Sequence, residues 1–117
     1  ANLSGFNLAF VNFAGANLEY ANLSGADMRG AFLKEANLKG ANLYMADLIG
    51  VNCQKACLEA ANLQGADIYK ANFSHANLQE ANLIQASIRR ATLVGANMHR
   101  AKLKQADLLQ ANLVQAN

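Results

Sequence analysis

The sequence predicts an all-β fold, a four-sided parallel β-helix in which one short strand and one turn recur every five residues over residues 1–117. Three observations carry this prediction. Cut in fives from Ala1, the chain reads ANLSG, FNLAF, VNFAG, ANLEY and onward to Asn117 without a slip in register. All eight glycines stand at the fifth position. The four aspartates, Asp27, Asp47, Asp67 and Asp107, fall in one class modulo twenty, so a coil closes after four pentapeptides. A fixed period constrains architecture more strongly than local propensity does.

Each position of the repeat has its own chemistry. The first is Ala at 21 of 24 occurrences, the exceptions being Phe6, Val11 and Val51, so a small apolar group is wanted there. The third is always apolar, Leu at 16 of 23 occurrences and otherwise Phe13, Met28, Cys53, Ile68, Phe73, Ile88 or Met98. The second is Asn or Asp at 19 of 24, while the fourth and fifth vary and face solvent. An α-helix would place the first and third positions about 200° apart and advance each by about 140° per repeat, so no apolar stripe could form. In an extended strand the first and third positions share a face and the second points away. Five is odd, so a turn must reset the direction in every repeat. Gly5, Gly15, Gly25, Gly30, Gly40, Gly50, Gly65 and Gly95 stand where that turn would need positive φ. Proline is absent throughout, as expected where backbone N–H groups serve inter-strand ladders.

With coils about 4.8 Å apart, nearly six of them make a prism roughly 28 Å long. Residues 1–117 form one domain on this reading. The chain resembles the pentapeptide-repeat proteins, whose motif is A(N/D)LXX, over its whole length. That resemblance implies a right-handed quadrilateral β-helix, a bacterial origin and no shared activity, since members of the family differ in what they do.

Composition narrows the function classes. The chain is 53% hydrophobic and 15% charged, with a net charge of +2, too small to argue alone for nucleic acid or a membrane surface. Asn or Asp interrupts every apolar run before it reaches the roughly 18 residues that a spanning helix needs. No charged start leads into an apolar segment, and a cytoplasmic protein is the expectation. Two cysteines, Cys53 and Cys57, make neither a disulfide framework nor a zinc site. Cys53 takes an inward position and Cys57 an outward one, so a bridge between them is not expected.

Stacked Leu columns such as Leu3, Leu23, Leu43, Leu63, Leu83 and Leu103 should exclude water. Asn2, Asn22, Asn42, Asn62 and Asn82 should satisfy the turn backbone and bond to their copies one coil away. The ends are the weak points, because a terminal coil exposes a core cross-section. Phe6 is the candidate N-terminal plug, in an eighteen-residue opening stretch that carries no charge. At Asn117 the repeat simply continues, so a further tail or another rod is expected to cover that end.

No catalytic constellation emerges, and neither an enzyme nor a cofactor is expected. The aspartates share a side with Arg29, Lys70, Arg89 and Arg90, and are read as stand-ins for Asn with cations screening them. His75 and His99 fall on different sides, and no serine shares a column with either. The late cations Arg89, Arg90, Arg100, Lys102 and Lys104 spread over three sides without interleaved aromatics, so nucleic acid is not expected. Outward apolar residues are the better lead: Phe10 with Phe32 at the corner between the second and third sides, then Tyr44, Met45 and Ile49. A contiguous apolar patch marks an interface.

The function expected is a non-catalytic scaffold or protein-interaction module. Its partners are an unidentified protein, or a second copy stacked end to end or face to face. The alternative is gyrase inhibition by DNA mimicry. For that function the family resemblance implies an acidic rod dimerised by an apolar C-terminal helix, and this chain departs on both counts. Ice binding through ordered Thr rows is excluded by a single threonine, Thr92.

Overall fold

A computed structural model describes all of residues 1–117 as a prism with extents of 32 × 24 × 22 Å. Every β-bridge is parallel and joins a second-position residue to the one twenty further on, from Asn2 with Asn22 to Thr92 with Asn112. A turn follows each bridge. Twenty residues therefore make one circuit of four sides. The first side begins at Ala1 in the first coil, the second at Phe6, the third at Val11 and the fourth at Ala16.

The repeat 61–65 shows where the backbone donors go. Ala61 N–H donates to Leu58 O at 3.0 Å and closes a turn; Asn62 N–H reaches back one coil to Ala41 O at 2.9 Å. Leu63 and Gly65 donate forward one coil, to Asn82 O at 2.7 Å and Ile84 O at 3.0 Å. The remaining donor, Gln64 N–H, bonds to Asn62 Oδ1 at 3.1 Å. All five donors are satisfied, four by backbone and one by the Asn side chain. Proline would therefore remove a used donor at any position of a repeat whose second residue is Asn or Asp.

The Asn–backbone bond recurs wherever Asn or Asp fills the second position and a fourth residue follows it, as at Asn2, Asn52 and Asn97. Aspartate does the same at Asp47 and Asp67, which accept from Ile49 and Tyr69. The role expected for the Asp column as a stand-in for Asn is observed. The coil-to-coil amide ladder is narrower than expected. It is seen on the first side alone, from Asn62 Nδ2 to Asn42 Oδ1 at 3.4 Å and from Asn82 Nδ2 to Asn62 Oδ1 at 3.3 Å. A carboxamide oxygen already engaged by its own turn is left only a long second contact.

Each turn is hydrogen-bonded from the first position back to the preceding third, and only its fifth position has positive φ. This is the type II geometry. Eight glycines and fifteen other residues occupy that conformation, with φ from 56° to 70°. Left-handed backbone costs a side-chain-bearing residue about 1–2 kcal/mol, offset by about 0.5–1 kcal/mol from the lower entropy of its unfolded chain. Gly50 is a clean test, because a methyl there meets nothing within 4 Å. We expect Gly50→Ala to lose about 1 kcal/mol and Ala60→Gly to gain about as much. Urea midpoints that move in the same direction for both would refute this account of the turn.

Inside, the first and third positions fill one continuous core running from Leu18 to Met98. Val51 and Cys53, on one side of one coil, are both buried, the larger first-position group beside the smaller third-position one. Toward the ends burial fades. Leu3, Leu8, Phe13 and Ala16 at one end, and Leu103, Leu108 and Ala111 at the other, are only partly buried. Phe6 occupies an inward register position and is 54% exposed.

Candidate interaction surface

The walls are built from second, fourth and fifth positions, and no pocket indents them. The wall with most charge is the second side. Arg29 donates to Asp27 through Nε at 2.9 Å and Nη2 at 2.7 Å, and its Nε lies 3.7 Å from Asp47 Oδ2. The guanidinium hydrogen bond holds the Asp27 carboxyl down at about 2. Farther along, Arg89 stands 3.7 Å from Asp107, and on the fourth side Lys39 stands 3.3 Å from Glu59. Opposite charges are thus set against each other from coil to coil, which stabilises stacked strands modestly. No three His, Cys, Asp or Glu side chains converge.

Tyr69 interrupts this wall. Arg90 Nη1 donates to its hydroxyl oxygen at 3.4 Å, and Lys70 Nζ lies 5.4 Å from the ring centroid. The Arg90 hydrogen bond, aided by the charge of Lys70, lowers the phenol below its usual value.

The sequence-predicted apolar residues separate into two grades. Phe10 is 72% exposed and Phe32 is 49% exposed. The two belong to one corner, because Phe32 N–H donates to Val11 O at 3.0 Å and Val11 follows Phe10 in the chain. Val11 is itself exposed and joins them, a residue the sequence reading set aside as an exception to an inward position. Its signal was its place in the first coil, where inward register does not guarantee burial. Tyr44 and Met45 are exposed on the first side, whereas Ile49 is only half exposed on the second.

A second feature was present in the sequence and missed. The ring of Phe10 lies across Gly30, one coil on, so that a methyl at Gly30 would come within 2.5 Å of Phe10 Cε1. Tyr20 lies in the same way over Gly40, Met45 over Gly65 and His75 over Gly95. Each bulky fifth-position residue so placed has glycine twenty residues later, and the bare backbone supplies its seat. Phe10 is thereby held along the edge while its outer face stays open.

The cysteines divide as expected: Cys53 is buried and Cys57 half exposed. Burial pushes the Cys53 thiol well above its usual range. The folded protein should therefore take up one equivalent of a thiol reagent quickly, at Cys57, and a second only on unfolding; Cys57→Ser should abolish the fast equivalent.

The family model for pentapeptide repeats, in eight copies, matches residues 1–34, 21–52, 33–65, 56–95, 66–105 and 81–117. Among solved structures, the chain is similar to a pentapeptide repeat protein from the Arabidopsis thaliana thylakoid lumen, with 29% identity, 98% of this chain and 70% of the other covered, and a TM-score of 0.40. It is similar to Rfr23 from the cyanobacterium Cyanothece 51142, with 29% identity, coverage of 99% and 84%, and a TM-score of 0.43. A further likeness, at 22% identity, coverage of 95% and 76% and a TM-score of 0.44, is to QnrB1, a plasmid-mediated fluoroquinolone resistance protein. No curated protein sequence matches the chain. The family matches overlap from the first residue to the last, and the chain belongs to the pentapeptide-repeat family.

Proposed function

We propose that residues 1–117 act as one right-handed solenoid domain of nearly six coils, a non-catalytic protein-interaction module that engages its partner through the corner at Phe10, Val11 and Phe32. The observation that carries this reading is Phe32. It stands at a second position, where Asn or Asp in most repeats satisfies the fourth-position N–H of its own repeat; of the five exceptions, with Cys57, Ser87, Thr92 and Lys102, it alone is a large apolar group. A phenylalanine cannot accept that bond, so the site forgoes a contribution of about 0.5–1.5 kcal/mol and exposes a large ring instead. A position that gives up stability to display an apolar group is placed for recognition. Tyr44 and Met45 form a secondary contact on the first side, with Ile49 peripheral. Gyrase inhibition by DNA mimicry is the weaker reading, because a net charge of +2 does not imitate a phosphate backbone.

The test pairs two substitutions that respect the fold. Phe32→Asn restores the missing acceptor, and Phe10→Gly suits a backbone with φ of 63°. The double variant should be at least as stable as the parent in urea and should lose partner association by sedimentation or pull-down. Unchanged association, with the fold intact, would sink the reading.

A further inference from the structure

The edge between the second and third sides runs through the fifth-position column Phe10, Gly30, Gly50, Lys70, Arg90 and Gln110. Its composition changes along its length. Over the first two coils it is apolar, with Phe10 seated across Gly30 and Val11 and Phe32 beside it. At Gly50 it is bare, since nothing lies within 4 Å of the place a side chain would take. Over the fourth and fifth coils it is cationic, with Lys70 and Arg90 stacked in one column and both exposed.

That cationic pair differs from the two other cations of the second side, Arg29 and Arg89. Arg29 and Arg89 each have a carboxylate partner on an adjacent coil. Lys70 and Arg90 have none; both turn toward Tyr69. No other two cations of the chain lie twenty residues apart. Like charges set directly opposite on adjacent strands are unfavourable, and a ligand carboxylate would relieve that.

From these observations we propose that this edge is a docking track for an extended peptide segment carrying bulky apolar side chains at one end and carboxylates at the other. The proposal rests on the interaction-module reading and adds the chemistry of the partner. Spacing follows from the coil pitch. The centres of the apolar and cationic pairs are three coils apart, about 14 Å, which an extended chain spans in about four residues. The bare backbone at Gly50 lets a main chain pass close to the edge between the two anchors.

The probe is a fluorescein-labelled peptide containing two leucines, two serines and two glutamates in that order, with its reverse order tested alongside. One of the two should bind, and its affinity should fall at least ten-fold when both glutamates become glutamine, or when they are moved next to the leucines. On the protein side, Lys70→Gln with Arg90→Gln should weaken binding by the same factor. Glutamine already serves at fifth positions 85, 105, 110 and 115, so this variant should fold. Phe10→Gly with Phe32→Asn should weaken it as well, and raised salt should reduce the glutamate-dependent part. Binding lost in the Phe variant but untouched in the Lys70/Arg90 variant would overturn the track and leave the interaction corner standing. Failure of every peptide to bind would overturn the proposal, as would duplex DNA that binds through Lys70 and Arg90 without need of Phe10 and Phe32.

Discussion

Phe73→Ala should destabilise the protein by about 3–5 kcal/mol, the range for emptying a fully buried aromatic site. The ring is wholly buried in the third-position column of the third side, between Cys53 and Leu93. Cys53 is already a small occupant, so truncating its neighbour would leave two consecutive coils short of volume on one side. The ladder limits relaxation, because Cys53 N–H donates to Asn72 O at 2.7 Å and Phe73 N–H to Thr92 O at 2.7 Å, fixing the coil spacing on both sides. The control is Leu113→Ala in the terminal coil, where the side chain is partly exposed and truncation should cost about 1 kcal/mol or less. Urea denaturation of the two variants checks the claim. Equal losses at 73 and 113 would show that the core is not graded from centre to ends.

Proline should distinguish the five positions of the repeat by what each donor does. Asn62→Pro removes the N–H that reaches Ala41 O and also the Oδ1 that Gln64 N–H uses, so a loss of about 3 kcal/mol or more is expected. Gln64→Pro forfeits the bond to Asn62 Oδ1 and the long contact of 3.4 Å that its Oε1 accepts from Asn82 Nδ2, and it occupies the second residue of a type II turn, where the preset φ of proline fits. That variant should lose about 1 kcal/mol or less. Circular dichroism melts of the two proteins decide the matter. A Gln64→Pro protein that unfolds as readily as Asn62→Pro would mean that the fourth-position N–H does more than meet its own Asn.

Much of the candidate surface is legible in the sequence. Phe10 and Phe32 fall near one corner by counting in twenties, and both are exposed there. Val11 escaped because its register position is inward, and register does not say whether a coil lies on either side. The seating of Phe10 on Gly30 escaped for another reason. Gly30, Gly40, Gly65 and Gly95 were explained by φ alone, whereas each also makes room for a ring or chain from the coil before. Both facts were present in the spacing, but the second becomes visible only when side-chain direction is known.

For the fold, the pentapeptide period determined the extended segment and the reversal at each fifth position, and the spacing of the aspartates determined the circuit of twenty. These follow from local chemistry, because Ala and Leu alternate with Asn and every fifth residue must turn. The tertiary structure decided which copies of the same phrase are buried. The repeat ANL is partly or wholly exposed at 1–3 and closed from solvent at its first and third positions at 61–63. Burial needs a coil on each side, which is a property of the stack and not of the repeat. It likewise decided that Lys70 and Arg90 stand together without a carboxylate while Arg29 bridges two. Charge pairing depends on what the twenty-residue circuit brings alongside and on which way each side chain leans.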